Sequence, residues 1–196
     1  VMCTDNDSGI LGPKNLKEII KEAEWCDSIV IGPGLGISSD TQELVVRILE
    51  SCSKPVVVDA DALLSLGNNI NSLSERSILT PHLGEFGKLV NRPKVEVEDN
   101  FISIIEEFMV KYDGTLVLKT APVSVIHNGQ GSLNISGNQG LASAGTGDVL
   151  AGCIGSFIAQ GLSPFDAGKL GVFIHGKAAD SLLDQTGYRG MTATDV

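Results

Sequence analysis

The sequence is poor in aromatic side chains and has no accumulation of positive charge. Phe, Trp and Tyr make up 5% of its 196 residues, with a single tryptophan, Trp25. That is too little for a stacking platform on which single-stranded nucleic acid could rest. Lys and Arg total 14 against 24 Asp and Glu, a net charge of −10 with no basic run to offset it. Such a field repels nucleic acid and anionic lipid, so neither is expected as a partner. Any bound anion has to be held locally, by backbone amides, a helix terminus, a few cations or a metal. Cysteine is scarce too. Cys3, Cys26, Cys52 and Cys153 are far apart, without a CxxC pair or interleaved histidines. This spacing is neither a zinc pattern nor a disulfide framework, and it predicts reduced thiols in a cytoplasmic setting. Long hydrophobic runs are also lacking. The longest uncharged stretch, Val149 to Phe165, contains Gln160, Gly161, Ser163 and Pro164, which mark one helix ending and another starting. No membrane span or signal peptide is expected.

What is present fits a folded domain: 42% of residues are hydrophobic and 19% charged, with 23 glycines and 7 prolines. That composition excludes disorder and coiled coil, and a chain of this length buries roughly 70% of its unfolded surface. The sequence opens on Val1 and a polar stretch rather than on methionine, and we expect a single domain over 1–196 that lacks a front segment. Along the chain, short β-branched runs alternate with loops and helical patterns. Helices are predicted at Pro13–Cys26, Asp40–Ser51, from Glu85 to Val90, Val97–Tyr112, Gly147–Gln160 and Pro164–Leu183. Strands are predicted at Ser28–Ile31, Pro55–Asp59, Ser77–Thr80 and Thr115–Lys119. Continuous apolar strands alternating with helices imply a mostly parallel sheet with helices on both faces. Past Val123 the rhythm changes. Val123–His127 and Gly131–Ile135, joined by Asn128-Gly129, read as an antiparallel hairpin.

Every unusual glycine or polar cluster falls just after a predicted strand, the edge where open parallel sheets bind ligands. In Gly140-Leu-Ala-Ser-Ala-Gly-Thr-Gly-Asp148, Gly145 and Gly147 let backbone amides approach an anion at a helix start. Ordinary capping accounts for Thr146 as N-cap and Asp148 as a first-turn acid, but not for both glycines. Asp148 inside an anion cradle needs a purpose, and a general base toward a hydroxyl attacking phosphorus supplies one. The segment is neither a Walker loop nor a GxGxxG fingerprint. Gly32-Pro-Gly-Leu-Gly36 allows close backbone approach, or is simply a glycine-rich turn. His82 and Glu85 leave a strand end together and either face the cleft or settle a loop and a first helical turn. Asp59 and Asp61 could hold Mg²⁺ through water, though capping of the next helix is the favoured reading. Lys119 is a candidate phosphate contact at a strand end, with a solvated lysine nearly as good a reading. His127 and His175 read as structural.

Together these residues resemble a known family. Gly32–Gly36, Asp59-Ala-Asp-Ala-Leu63, Thr80-Pro-His-Leu-Gly-Glu-Phe86, Lys119 and Asn138–Gly152 occur in the order found in the ADP/ATP-dependent NAD(P)H-hydrate dehydratases. That family is ribokinase-like and was once labelled putative sugar kinase. The similarity continues through Gly161–Ala167 and Gly171–Asp180. The resemblance implies a ribokinase-like three-layer α/β sandwich. It implies that Asp148 contacts the hydrated nicotinamide and acts as base, and that Gly145, Thr146 and Gly147 hold nucleotide phosphates. Lys119, Thr120, Ala121, Pro122 and Val123 would line the AMP part, and Gly36 and His82 would contact the hydrated dinucleotide. Glu85 and Asp59 are possible supporting residues. The implied reaction restores NAD(P)H from its hydrate with ADP (or ATP) and Mg²⁺, in a cytoplasmic homo-oligomer. Leu83 stands where the family usually has proline, and Thr120 where it has glycine. The alternatives are a kinase of a small alcohol such as a vitamin precursor, and a nucleotide-binding fragment without turnover.

Overall fold

The computed structural model describes residues 9–67 and 69–196, so Cys3 and the opening polar stretch lie outside the described residues. Within them the sheet has six strands in the order of the chain: β1 Ile29–Ile31, β2 Val56–Val58, β3 Ser77–Leu79, β4 Thr115–Leu118, β5 Val123–His127 and β6 Gln130–Asn134. Strands β1 to β4 are parallel, while β4–β5 and β5–β6 are antiparallel. Asn128 and Gly129, at φ 45° and 73°, form the expected hairpin turn.

The helices are α1 Leu16–Ala23, α2 Ser39–Ser51, α3 Ala60–Leu66, α4 Leu83–Leu89, α5 Lys94–Asp99, α6 Phe101–Met109, α7 Thr146–Ala159 and α8 Pro164–Gly190. Right-handed crossovers stepping one strand at a time put every connecting helix on the same face. Residues from α2 to α6 therefore form one core with Val56, Val58, Leu79, Leu116 and Leu118. The alternate residues Val57, Ile78, Val117 and Val125 point the other way and pack with α7 and with Ala167 and Val172 of α8. Helices on both faces make the three layers. The two covering helices touch closely: a Cβ on Gly171 would lie 2.5 Å from Ile154 Cγ1.

Several boundaries differ from the expectation. Pro13–Asn15 forms a 3-10 turn, so the first α-helix starts at Leu16 and stops at Ala23. The strand expected over Pro55–Asp59 spans Val56–Val58, and Asp59 is already the N-cap position of α3. The helix expected over Val97–Tyr112 begins at Lys94 and breaks at Asn100 (φ −121°, ψ 35°), whose side-chain amide donates to the Glu96 carbonyl at 3.2 Å. This local bond competes with the helical ladder. The last helix runs past Leu183 to Gly190, interrupted at Gly187. A 3-10 turn, Gln139–Ala142, interrupts the loop before α7.

Candidate active site

Four strand ends and one helix start converge on the C-terminal edge of the sheet. After β2, the Asp59 carboxylate is 1% exposed and accepts from Lys119 Nζ at 2.8 Å. The two residues are 60 positions apart in sequence and are separated in the sheet by β3. Spanning two strand spacings, about 9–10 Å, is within reach of an extended lysine. After β3, the Pro81 carbonyl accepts from the Lys119 amide at 2.8 Å, which places His82 beside Lys119 in a parallel bridge. After β1, the Gly36 amide donates to Asp61 Oδ2 at 2.8 Å. At the start of α7, a Cβ on Gly147 would lie 3.4 Å from Lys119 Nζ and 4.0 Å from Asp59 Oδ2. Asp59, His82 and Gly147 thus gather around Lys119, and Gly36 joins them through Asp61.

The capping of α7 differs from the expected Thr146 N-cap. Gly145 is the N-cap, in the left-handed conformation at φ 84°, and Thr146 is the first helical residue. The Thr146 hydroxyl instead turns back to the Leu141 and Ser143 carbonyls, at 2.6 and 2.9 Å. The next two amides, of Gly147 and Asp148, donate to nothing among the described residues. Two free N–H groups at the positive end of a fourteen-residue helix form an anion cradle. Asp148 lies in that first turn, exposed, and its carboxylate accepts no hydrogen bond from the described residues.

A cavity of about 720 Å³ opens beside the cradle, within the range of small-molecule sites. Lys119, Thr120, Ala121, Pro122 and Val123 form one wall; Asn134 to Gln139, Leu141 and Ala142 form another, with Leu150 and His175 completing the lining. Thr120 is held by its hydroxyl donating to the Pro122 carbonyl at 2.7 Å. The opposite wall is tied to α8: Asp180 accepts from the Gly137 amide at 3.0 Å and from Asn138 Nδ2 at 3.3 Å. Gly36, Asp59, His82, Glu85, Gly145, Thr146, Gly147 and Asp148 do not line this cavity, which meets the start of α7 through Lys119 and Leu150. Gly36 is held by Asp61, and His82 is bridged to Lys119.

His82 and Glu85 share a capping box. His82 Nδ1 accepts from the Gly84 and Glu85 amides at 3.0 and 3.1 Å, and Glu85 Oε2 accepts from the His82 amide at 2.8 Å. The bonds fix the ring and leave Nε2 outward, 3.6 Å from Glu85 Oε1. Capping of α3, the favoured reading for Asp59 and Asp61, is not what the structure has. Asp59 occupies the N-cap position but makes no capping bond, because Lys119 takes its carboxylate. Among the described residues no cluster of three metal-ligating side chains occurs.

His175, expected to be structural, is buried, 7% exposed, yet its Nε2 has no hydrogen-bond partner among the described residues. Burial holds its pKa below the ordinary value; Lys119 lowers it further and the Thr146 backbone opposes the shift. A histidine with a lowered folded-state pKa binds its proton more readily when unfolded. Its contribution is therefore present above the unfolded value of about 6.5 and is lost as pH falls through the folded one. Thermal melts should show wild type losing more stability between pH 7.5 and pH 5.5 than His175→Phe. Equal losses would show that the ring does not titrate with folding. His127, by contrast, is satisfied by Thr115 Oγ1 and the Gly114 carbonyl, both at 3.1 Å.

A profile of the NAD(P)H-hydrate dehydratase family matches residues 1–196. The chain belongs to that family. It is 40% identical over 173 residues to a bifunctional NAD(P)H-hydrate repair enzyme of Vibrio cholerae, covering 88% of this chain and 35% of the relative. A protein of the same name from Thermofilum pendens is 36% identical over 190 residues, covering 95% of this chain and 36% of the relative. The chain thus spans about a third of the length of these curated relatives. Among solved structures, the Bacillus subtilis ADP/ATP-dependent NAD(P)H-hydrate dehydratase co-crystallised with ATP/Mg²⁺ superposes with a TM-score of 0.73. It is 29% identical, over 88% of this chain and 64% of that one. A ribokinase-like superfamily protein of Enterococcus faecalis superposes at 0.75 with 30% identity, over 87% of this chain and 61% of that one. The fold is ribokinase-like, and no helix among the described residues is long and apolar enough to cross a membrane.

Proposed function

We propose that this dehydratase-family chain restores NAD(P)H from its hydrate at the expense of ADP, releasing AMP and phosphate, with ATP as the other candidate nucleotide. The observation that carries the proposal is the free first turn of α7, flanked by Lys119 and followed by Asp148, beside a cavity of nucleotide size. The cavity and cradle fit a nucleotide. Lys119 to Val123 would line its AMP part, while Gly145, Thr146 and Gly147 would present amides to the phosphates. Gly36 and His82 would meet the hydrated dinucleotide, with Glu85 holding the His82 backbone and ring.

Asp148 would take the proton of the ring hydroxyl as its oxygen bonds to the terminal phosphorus and the bond to the AMP oxygen breaks. The ring nitrogen lone pair then expels phosphate, and loss of a proton from the neighbouring carbon restores the dihydropyridine. Hydroxide is a poor leaving group and phosphate a good one, so the transfer makes the elimination feasible. Mg²⁺, which accompanies ATP in the Bacillus subtilis structure, supplies charge neutralisation between phosphates. Magnesium commonly relies on substrate phosphates, water and one or two carboxylates, which fits a site without a three-residue cluster. A cytoplasmic setting, a homo-oligomeric state and the exclusion of nucleic acid are part of the same proposal, the last supported by the net charge of −10.

The test is incubation of NADH hydrate and NADPH hydrate with the protein, Mg²⁺ and ADP or ATP. Return of dihydronicotinamide absorbance, with AMP and phosphate formed from ADP, is the expected result. In a parallel incubation with a small alcohol of the vitamin-precursor class, a phosphorylated alcohol without NADH recovery from the hydrates would establish a kinase instead, and nucleotide binding without any turnover would establish the fragment reading.

A further inference from the structure

Helix α3 begins with two carboxylates, and neither is used where a helix start would use it. Asp59 stands at the N-cap without a capping bond, and Asp61 is in the first turn. Their side chains leave in different directions. Asp59 reaches Lys119 Nζ at 2.8 Å, and its other oxygen lies 4.0 Å from the position a Gly147 Cβ would take. Asp61 accepts from the Gly36 amide at 2.8 Å, drawing in the glycine-rich loop after β1.

We propose that the Asp59–Asp61 turn is the positioning element of the site, with Asp59 fixing the Lys119 ammonium against the α7 start and Asp61 fixing the loop at Gly36. A lysine has a long, flexible side chain, and an unpaired one would sample much of the cavity mouth. A carboxylate that is 1% exposed permits no such freedom, because leaving it unpaired in the interior is costly. The ammonium is therefore already beside the free amides when a phosphate arrives. One rigid turn then sets the distance between the nucleotide side, through Lys119, and the dinucleotide side, through Gly36. Asp59 and Asp61 touch neither ligand and act through these two partners.

The assignment of the two sides rests on the proposed dehydratase function, whereas the pinning itself does not. Two readouts are independent of turnover. Acetic anhydride labelling of Lys119, followed by mass spectrometry, should rise about tenfold in Asp59→Asn, as the ammonium loses its charged partner. Exchange of the Gly36 amide should accelerate about tenfold in Asp61→Ala, where its acceptor is gone. In the turnover assay, Asp59→Asn should lower kcat about tenfold while ADP affinity by calorimetry remains within about threefold of wild type. Asp61→Ala should raise KM for the hydrated dinucleotide about tenfold with little change in kcat. A purely structural role would instead lower the melting temperature and the active fraction together, leaving KM unchanged. Unchanged labelling and unchanged exchange would overturn the proposal, as would the expected labelling and exchange with wild-type kcat and KM. Asp61 is half-buried, so its arm decides the outcome even if Asp59→Asn fails to fold. A wild-type protein without dehydratase turnover would count against the proposed function and leave the labelling and exchange results to judge the pinning.

Discussion

Asp148→Asn is expected to abolish most of the turnover while leaving the nucleotide bound. The amide keeps the size of the side chain and the first turn of α7, but it cannot take a proton from the attacking hydroxyl. General-base catalysis typically contributes about a hundredfold to ten-thousandfold, so kcat should fall by that amount. The carboxylate is exposed and accepts no hydrogen bond from the described residues, so the substitution breaks no contact among them and the melting temperature should hold. Nucleotide affinity should hold or rise slightly, because a negative charge leaves the neighbourhood of the phosphates. Calorimetric titration with ADP, run beside the turnover assay, separates the two effects. A variant that keeps most of its kcat would place the base elsewhere, with His82 the next candidate, its Nε2 directed outward near Glu85. That outcome would also remove the argument for a carboxylate inside the anion cradle.

The elements that position this site were legible because they repeat a pattern. Val56 to Val58 and Leu116 to Leu118 are apolar at every position, as strands covered on both faces must be. The glycine and polar clusters that follow such strands had to meet at one edge of the sheet. What could not be read was which side chains pair across it. Asp59 and Lys119 are 60 residues apart, and no local spacing announces their bond. The available signal was topological: two opposite charges, each just past the end of a parallel strand. Capping preferences pointed the other way for Asp59, since an aspartate before a helix ordinarily caps it. They misled again at Thr146, where left-handed Gly145 takes the cap and the hydroxyl is spent on two loop carbonyls. For His82 the local reading holds, because one ring nitrogen caps α4, while the other faces outward. His175 carried no signal at all. An isolated histidine in a long helix becomes a cavity wall only once α8 is folded against α7 and the preceding loop.

Gly32→Ala should be the most damaging single methyl in the site. Gly32 has φ 127°, a conformation that costs an L-residue about 1–3 kcal/mol by itself. The added Cβ would also sit 1.7 Å from the Asp59 carbonyl oxygen and 2.9 Å from Ala62 Cβ. Neither obstacle can move freely. The Asp59 backbone is fixed by its amide donating to the Ile31 carbonyl at 3.0 Å, and Ala62 is fully buried in the α3 packing. Relief requires β1 to separate from the start of α3, undoing the contact that brings Gly36 to Asp61. We expect a loss of more than about 4 kcal/mol, read as a collapse of the urea midpoint or as insoluble protein. Gly147→Ala makes the contrast. Its Cβ would lie 3.4 Å from Lys119 Nζ, an ordinary contact, on a helical residue. That variant should melt near wild type yet bind ADP about tenfold more weakly, because its methyl occupies the approach to the cradle. Two glycines in one crevice would then be separated by consequence, Gly32 by folding and Gly147 by affinity. A Gly32→Ala protein that melts like wild type would mean that the β1 loop does not pass over Asp59 as described. The neighbouring loop at Gly36 could then no longer be placed beside Asp61.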